Sequence, residues 1–190
     1  MARENVLDVT SRREFREWLE RNSRTERECY VHVARGRPAD DGRFWYVDAV
    51  EEALCFGWID STIRRIGGRP MQRFSPRRDG GNWTELNMER VRRLEKLGLM
   101  TDAGRAVLPP HFHGEFAVDG ETERVLREEG VWETFSSFHP LYQRVRASNL
   151  ESYRRRHPGS YGRVLRRLVE ETRKGKTYGN WNDYGRLLDY

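Results

Sequence analysis

DAVEEALCFGWIDSTIRRIGGRPMQRFSP, residues 48–76, is the stretch that decides the fold. Its first half has helical spacing: Val50, Ala53, Leu54 and Gly57 recur at i, i+3, i+4 and i+7, Asp48 stands where an N-cap belongs, and Glu51 follows at capping-box spacing. Gly57, with no Cβ, is where the chain turns out of that helix. The second half alternates. Ile59, Ser61 and Ile63 fall on one face and Asp60, Thr62 and Arg64 on the other, which predicts a strand whose isoleucines enter the core while Asp60 looks away from it. Gly67-Gly68 is a hairpin-turn signal, and Met71–Ser75 returns around Phe74 as the partner strand. A helix feeding an antiparallel hairpin makes the fold class α+β: a small antiparallel sheet of two to four strands with covering helices and a helical C-terminal segment.

Upstream, Ser11 and Glu14 have capping-box spacing, and Phe15, Trp18 and Leu19 form one stripe, so a helix is predicted over 12–21. Glu28–Ala34 reads as a strand with Cys29, Val31 and Val33 on one face and Tyr30, His32 and Ala34 on the other; His32 is read as structural. Residues 35–44 have the Gly, Pro and Asp content of a loop. Downstream, a helix is predicted from Glu85 to Leu97 with Met88, Val91, Leu94 and Leu97 inward, Gly98 closing it and Leu99 packing back on Leu94. Thr101 starts a short helix that ends before Pro109-Pro110, the best boundary in the chain. The expected organisation is therefore an α+β domain over 1–108, a helical segment over 109–176 and a C-terminal arm over 177–190. The helical segment divides into Glu121–Glu129, Trp132–Ser137, Leu141–Arg155 and Tyr161–Arg173, the last with a clear apolar stripe. The arm, aromatic and broken by glycines, packs either on its own domain or on a second subunit as a homodimer contact.

Composition narrows the classes. The chain has 34% charged residues, but its 12% aromatics, with six Trp, supply enough large side chains for a core, so a wholly disordered chain is excluded. No apolar run approaches the roughly 18 residues of a membrane span, and the N-terminus lacks the apolar stretch of a signal peptide, so the expected location is cytoplasmic. Cys29 and Cys55 fall in core-like segments and are expected as free buried thiols. The net charge of +5 conceals an uneven distribution. Residues 60–106 hold 11 basic against 6 acidic side chains and residues 144–176 hold 11 against 3, whereas residues 107–143 hold 2 against 7. Basic and acidic regions either pair with each other or leave a basic surface for polyanions.

Three function classes follow. The first is a binding protein whose pocket, built from Trp58, Asp60, Arg73, Arg77, Arg78, Trp83 and Asn87, takes a small anionic or polar ligand. Asp60 and Arg73 stand nearly symmetric about Gly67-Gly68, so the hairpin would set them opposite one another, the carboxylate orienting the guanidinium. Arg77 and Arg78 precede a helix N-terminus that Asn82 or Thr84 caps, an arrangement suited to an anion. Each part has a plainer reading: Trp58 as core, Asp60 as a local partner, and the arginines as a solvated loop meeting Asp79 or Glu85. The second class is a basic protein that binds nucleic acid, though no base-reading motif accompanies the charge. The third is an enzyme using Cys55 or Asp60; no histidine lies near Cys55 in sequence, so an inert thiol is expected and no catalytic residue is assigned. His111 and His113 have a two-ligand spacing without a partner set, so no metal is assigned, and the sequence calls for no cofactor.

Four blocks in order, EALCFGWIDS (52–61), QRFSPRR (72–78), NWTELN (82–87) and GLMTDAG (98–104), resemble the YdeI/OmpD-associated family, also described as bacteriocin-protection proteins. The resemblance spans about residues 10–175: residues 1–108 take the place of its YdeI-like domain and residues 109–176 that of its OmpD-associated-like segment. At Asn82 that family more often has a serine, and both residues cap helices. The resemblance implies a bacterial stress-tolerance protein connected with bacteriocins or cationic antimicrobial peptides. It supplies no reaction and no catalytic residue.

Overall fold

A computed structural model describes residues 5–78 and 80–190; Asp79, a candidate partner of the neighbouring arginines, lies outside the described residues. The fold is α+β, with eight α-helices and a three-stranded antiparallel sheet among the described residues. The chain divides into two compact units. The first runs to Asn82 and adds Arg90–Pro110 and Tyr190; the second comprises Trp83–Glu89 and His111–Asp189.

In the first unit, α1 (Arg12–Asn22), β1 (Cys29–Val31), α2 (Tyr46–Cys55), β2 (Trp58–Ile66) and β3 (Arg69–Pro76) follow in order. Ser11 caps α1 by accepting from the Glu14 N–H, and Glu14 accepts in return from the Thr10 N–H at 2.7 Å. β3 is the central strand, in the order β1-β3-β2. Gly67 and Gly68 close the hairpin with φ of 57° and 80°, a turn that side chains with a Cβ adopt poorly.

Two departures from simple alternation matter for the site. Asp60 lies opposite Phe74 and Ile63 opposite Gln72, so Ser61 and Thr62 share the single partner Arg73: a β-bulge. The Gln72 side-chain amide donates to the Ser61 carbonyl at 3.1 Å, filling the gap that the bulge opens. The register corrects the expected facing of β2: Asp60 shares the face of Phe74, which packs on Phe15 of α1 at 5.3 Å, and Ile63 is 53% exposed rather than core. β1 is shorter than the predicted 28–34. Its next hydrogen-bonded pair would be Val33 with Pro70, and proline has no N–H to give.

Helix α2 begins at Tyr46 with Trp45 as N-cap, so Asp48 is a first-turn residue favoured by the helix dipole rather than the cap. Glu51 and Glu52, on what the pattern suggests is a polar face, are 0% and 2% exposed. Arg12 and Arg93 meet Glu51, each at 2.8 Å, and Arg12 and Arg16 meet Glu52, the latter at 2.8 Å. After α2, Gly57 turns with φ of 75°.

Helix α3 (Glu85–Lys96) passes from the second unit into the first, with Thr84 capping it by accepting from the Asn87 N–H at 3.2 Å. It ends in a Schellman motif: Gly98 N–H donates to the Glu95 carbonyl and Leu99 N–H to the Leu94 carbonyl, both at 2.9 Å. Leu97, expected inward, is 47% exposed because this turn carries it out of the stripe. Thr101 then starts α4 (Asp102–Ala106) and donates through its hydroxyl to the Cys55 carbonyl at 2.6 Å.

The second unit is helical: α5 (Gly120–Glu128), α6 (Trp132–Ser136), α7 (Pro140–Arg156) and α8 (Pro158–Arg173) enclose a core that includes Leu126, Phe135, Tyr142, Leu150 and Leu168. Asp119 caps α5 and accepts from Arg154 at 2.8 Å, a pairing of acidic and basic regions. The C-terminal arm packs on this unit itself. Tyr178 lies between the Arg146 and Arg167 guanidinium groups, 4.1 and 4.5 Å from its ring centre, and Trp181 meets Tyr142 edge-on at 5.5 Å. No helix among the described residues is long and apolar enough to cross a membrane.

Candidate functional site

The residues expected to form one pocket have separate roles. Trp58 is 1% exposed, donates its indole N–H to the Ser23 carbonyl at 3.1 Å and packs edge-on against Trp18, so it is core. Arg73 does not meet Asp60. Lying opposite the bulge, it reaches Glu28 at 2.7 Å and the Ser61 hydroxyl at 3.0 Å. Asp60 instead accepts from the Tyr46 hydroxyl at 2.6 Å. Burial, together with the charge and hydrogen bond of Asp60, raises the Tyr46 pKa, so the phenol stays a donor. Burial lowers Arg77 to about 10, with the Asp60 carboxylate acting in the opposite sense, and its guanidinium donates to the Asn82 carbonyl at 3.1 Å. Asp60 and Arg77 are thus the pair the fold does bring into electrostatic contact. Arg78 is exposed, while Trp83 and Asn87 are half-buried in the second unit. Cys55 is fully buried, and burial pushes its thiol up to about 12; Cys29 is buried and shifted in the same direction.

An open concavity lies elsewhere in the first unit. A groove of about 580 Å³ has Leu7, Val9, Ala34, Phe44, Ile66 and Met71 as apolar lining, with Asp8, Thr10, His32, Arg43 and Arg69 as its polar groups. That volume is in the range of small-molecule sites. Two of the polar groups are positioned by local devices. The His32 ring donates from Nδ1 to the Pro70 carbonyl at 3.0 Å; a carbonyl only accepts, so Nδ1 carries the proton. Arg43 is held by Asp41 at 2.6 Å and stacks on Trp45 at 4.3 Å. Arg69 is exposed at the start of β3 and has no side-chain partner among the described residues. It is a cation of the groove available to a ligand.

None of these groove residues was singled out as a site residue by the sequence pattern, because the lining comes from four separated stretches. One signal was readable: Pro70 inside a strand cannot donate, which forces β1 to stop and opens the sheet beside it.

No curated protein sequence and no solved structure matches this chain. A family described as Domain of unknown function (DUF8412) matches residues 7–107, just over half of the 190 residues and nearly all of the groove's lining. The chain therefore belongs to the DUF8412 family.

Proposed function

We propose that the chain is a binding protein for a small amphipathic anion, held in the groove of the first unit with its charge at Arg69. The observation that carries this reading is an exposed guanidinium without a side-chain partner beside an apolar-lined concavity of about 580 Å³. A ligand there buries an apolar body against Phe44 and Met71 and neutralises the Arg69 guanidinium at the rim. The buried Cys55 thiol, held up at about 12, and Asp60, engaged by Tyr46, favour binding over nucleophilic chemistry. The resemblance to bacteriocin-protection proteins supplies the proposed setting: a cytoplasmic protein whose ligand capture supports survival under bacteriocin or cationic-peptide stress.

The test is calorimetric titration of the full chain with octanoate, an amphipathic carboxylate of suitable size. Saturable binding that Arg69→Ala weakens about tenfold, with an unchanged melting temperature, is the expected result. Equal binding by wild type and Arg69→Ala rejects the site. The same variant, in cells challenged with a bacteriocin, is expected to lose protection; full survival separates the setting from the binding reading.

A further inference from the structure

The outer edge of the chain that runs through β1 and on to Ala34 is covered twice, by different segments, with a one-residue gap between them. Tyr30 donates its N–H to the Asn5 carbonyl at 2.8 Å and accepts from the Leu7 N–H at 2.9 Å. Four residues on, Ala34 donates to the Phe44 carbonyl at 2.8 Å and accepts from the Tyr46 N–H at 2.9 Å. Both neighbours run parallel to the strand. Residues of the same parity in an extended chain turn their N–H and C=O to the same edge, so His32, midway between Tyr30 and Ala34, presents its backbone there too. Among the described residues no backbone group pairs with His32 on that edge. His32, Leu7, Ala34 and Phe44 all line the groove, so the unfilled place opens into it. The ring of His32 is tied to Pro70, which fixes the residue that carries the gap.

We propose that the occupant of this groove is a short peptide whose main chain pairs with the His32 N–H and C=O and whose terminal carboxylate meets Arg69. This rests on the groove being the ligand site and names the class of ligand. One residue with its own N–H and C=O satisfies both His32 groups, as a single pair in a ladder does. Leu7 and Phe44 occupy the flanking places along the edge, so the paired chain cannot continue as a strand in either direction. A short peptide meets that limit, and its chain end supplies the carboxylate that Arg69 lacks. Asp8, exposed in the same lining, disfavours a second negative charge, and the apolar lining suits side chains such as valine and leucine. A fatty carboxylate would satisfy Arg69 and leave His32 unpaired.

The experiment titrates the ¹⁵N-labelled full chain with N-acetyl-Val-Leu bearing a free carboxylate. Its C-terminal amide, the two analogues methylated at either amide nitrogen, and octanoate serve as comparisons. The expected result is a downfield shift of the His32 amide with the free acid, and about tenfold weaker binding both for the C-terminal amide and for one of the two N-methyl analogues. Arg69→Ala should abolish the difference between acid and amide. Binding of the peptide acid with no shift at His32 and no loss on either methylation, alongside binding of octanoate, overturns the peptide inference while leaving the groove as an anion site. No binding by any of the probes overturns both.

Discussion

Cys55 contributes to the fold through its carbonyl rather than its thiol. That carbonyl, at the end of α2, accepts from the Thr101 hydroxyl at 2.6 Å and the Thr101 N–H at 3.2 Å, while the sulfur is fully buried. Native protein should therefore react with a soluble disulfide reagent at Cys55 only after denaturation; fast stoichiometric labelling would contradict the burial. The thiol also gives the fold a pH dependence with a definite sign. Its folded pKa, about 12, lies above the ordinary thiol value of about 8.5. Between those values the unfolded chain has lost a proton that the native chain keeps, so stability is full below about pH 8.5 and falls as pH rises from there. Cys55→Ala should flatten part of that alkaline fall in urea unfolding, and an unchanged slope would count against the assignment. Asp60 makes the complementary case at the other end of the same helix. Tyr46→Phe keeps the ring and removes the 2.6 Å bond to a half-buried carboxylate, an expected loss of about 1.5 kcal/mol by urea unfolding.

At the scale of elements, α2 is the piece around which the first unit is assembled. It is nearly encircled: its apolar residues lie in the core, and the carboxylates of Glu51 and Glu52 are closed over by arginines of α1 and α3. Glu51→Ala leaves Arg12 and Arg93 without that partner and should cost about 3 kcal/mol, with little dependence on salt because the carboxylate is 0% exposed. A cost below 0.5 kcal/mol, the range of ordinary surface changes, would contradict the network. The C-terminal end of α2 is met by Gly104, where a Cβ would stand 2.3 Å from the Cys55 carbonyl oxygen. Gly104→Ala should therefore destabilise by about 2 kcal/mol although its backbone is helical. The hairpin was legible from Gly67-Gly68, α1 from its cap and stripe and α8 from its stripe, because those signals are local. The bulge at Ser61–Thr62 was not, since it depends on the Gln72 side chain and on which strand becomes central. The burial of Glu51 and Glu52 was equally hidden: the arginines that neutralise them lie 36–42 residues away along the chain. The candidate site suffered most, because symmetry about a turn was extrapolated through a bulge that breaks it.

For the whole molecule, part of the basic excess is already committed inside each unit. Arg144 meets Glu89 at 2.7 Å and Arg154 meets Asp119 at 2.8 Å in the second; Arg12, Arg16 and Arg93 serve the α2 carboxylates in the first. That distribution weakens the case for a polyanion surface, whose binding would carry a steep salt dependence. It leaves Arg69 as a cation with a concavity to serve. The most direct test of the groove is a backbone amide map of the full chain titrated with octanoate. The account predicts shifts at residues 6–10, Ala34, Arg43, Phe44, 66–69 and Met71, weakened about tenfold in titration midpoint by Arg69→Ala. Shifts centred on Asp60 and Arg77, with the groove silent, would contradict it.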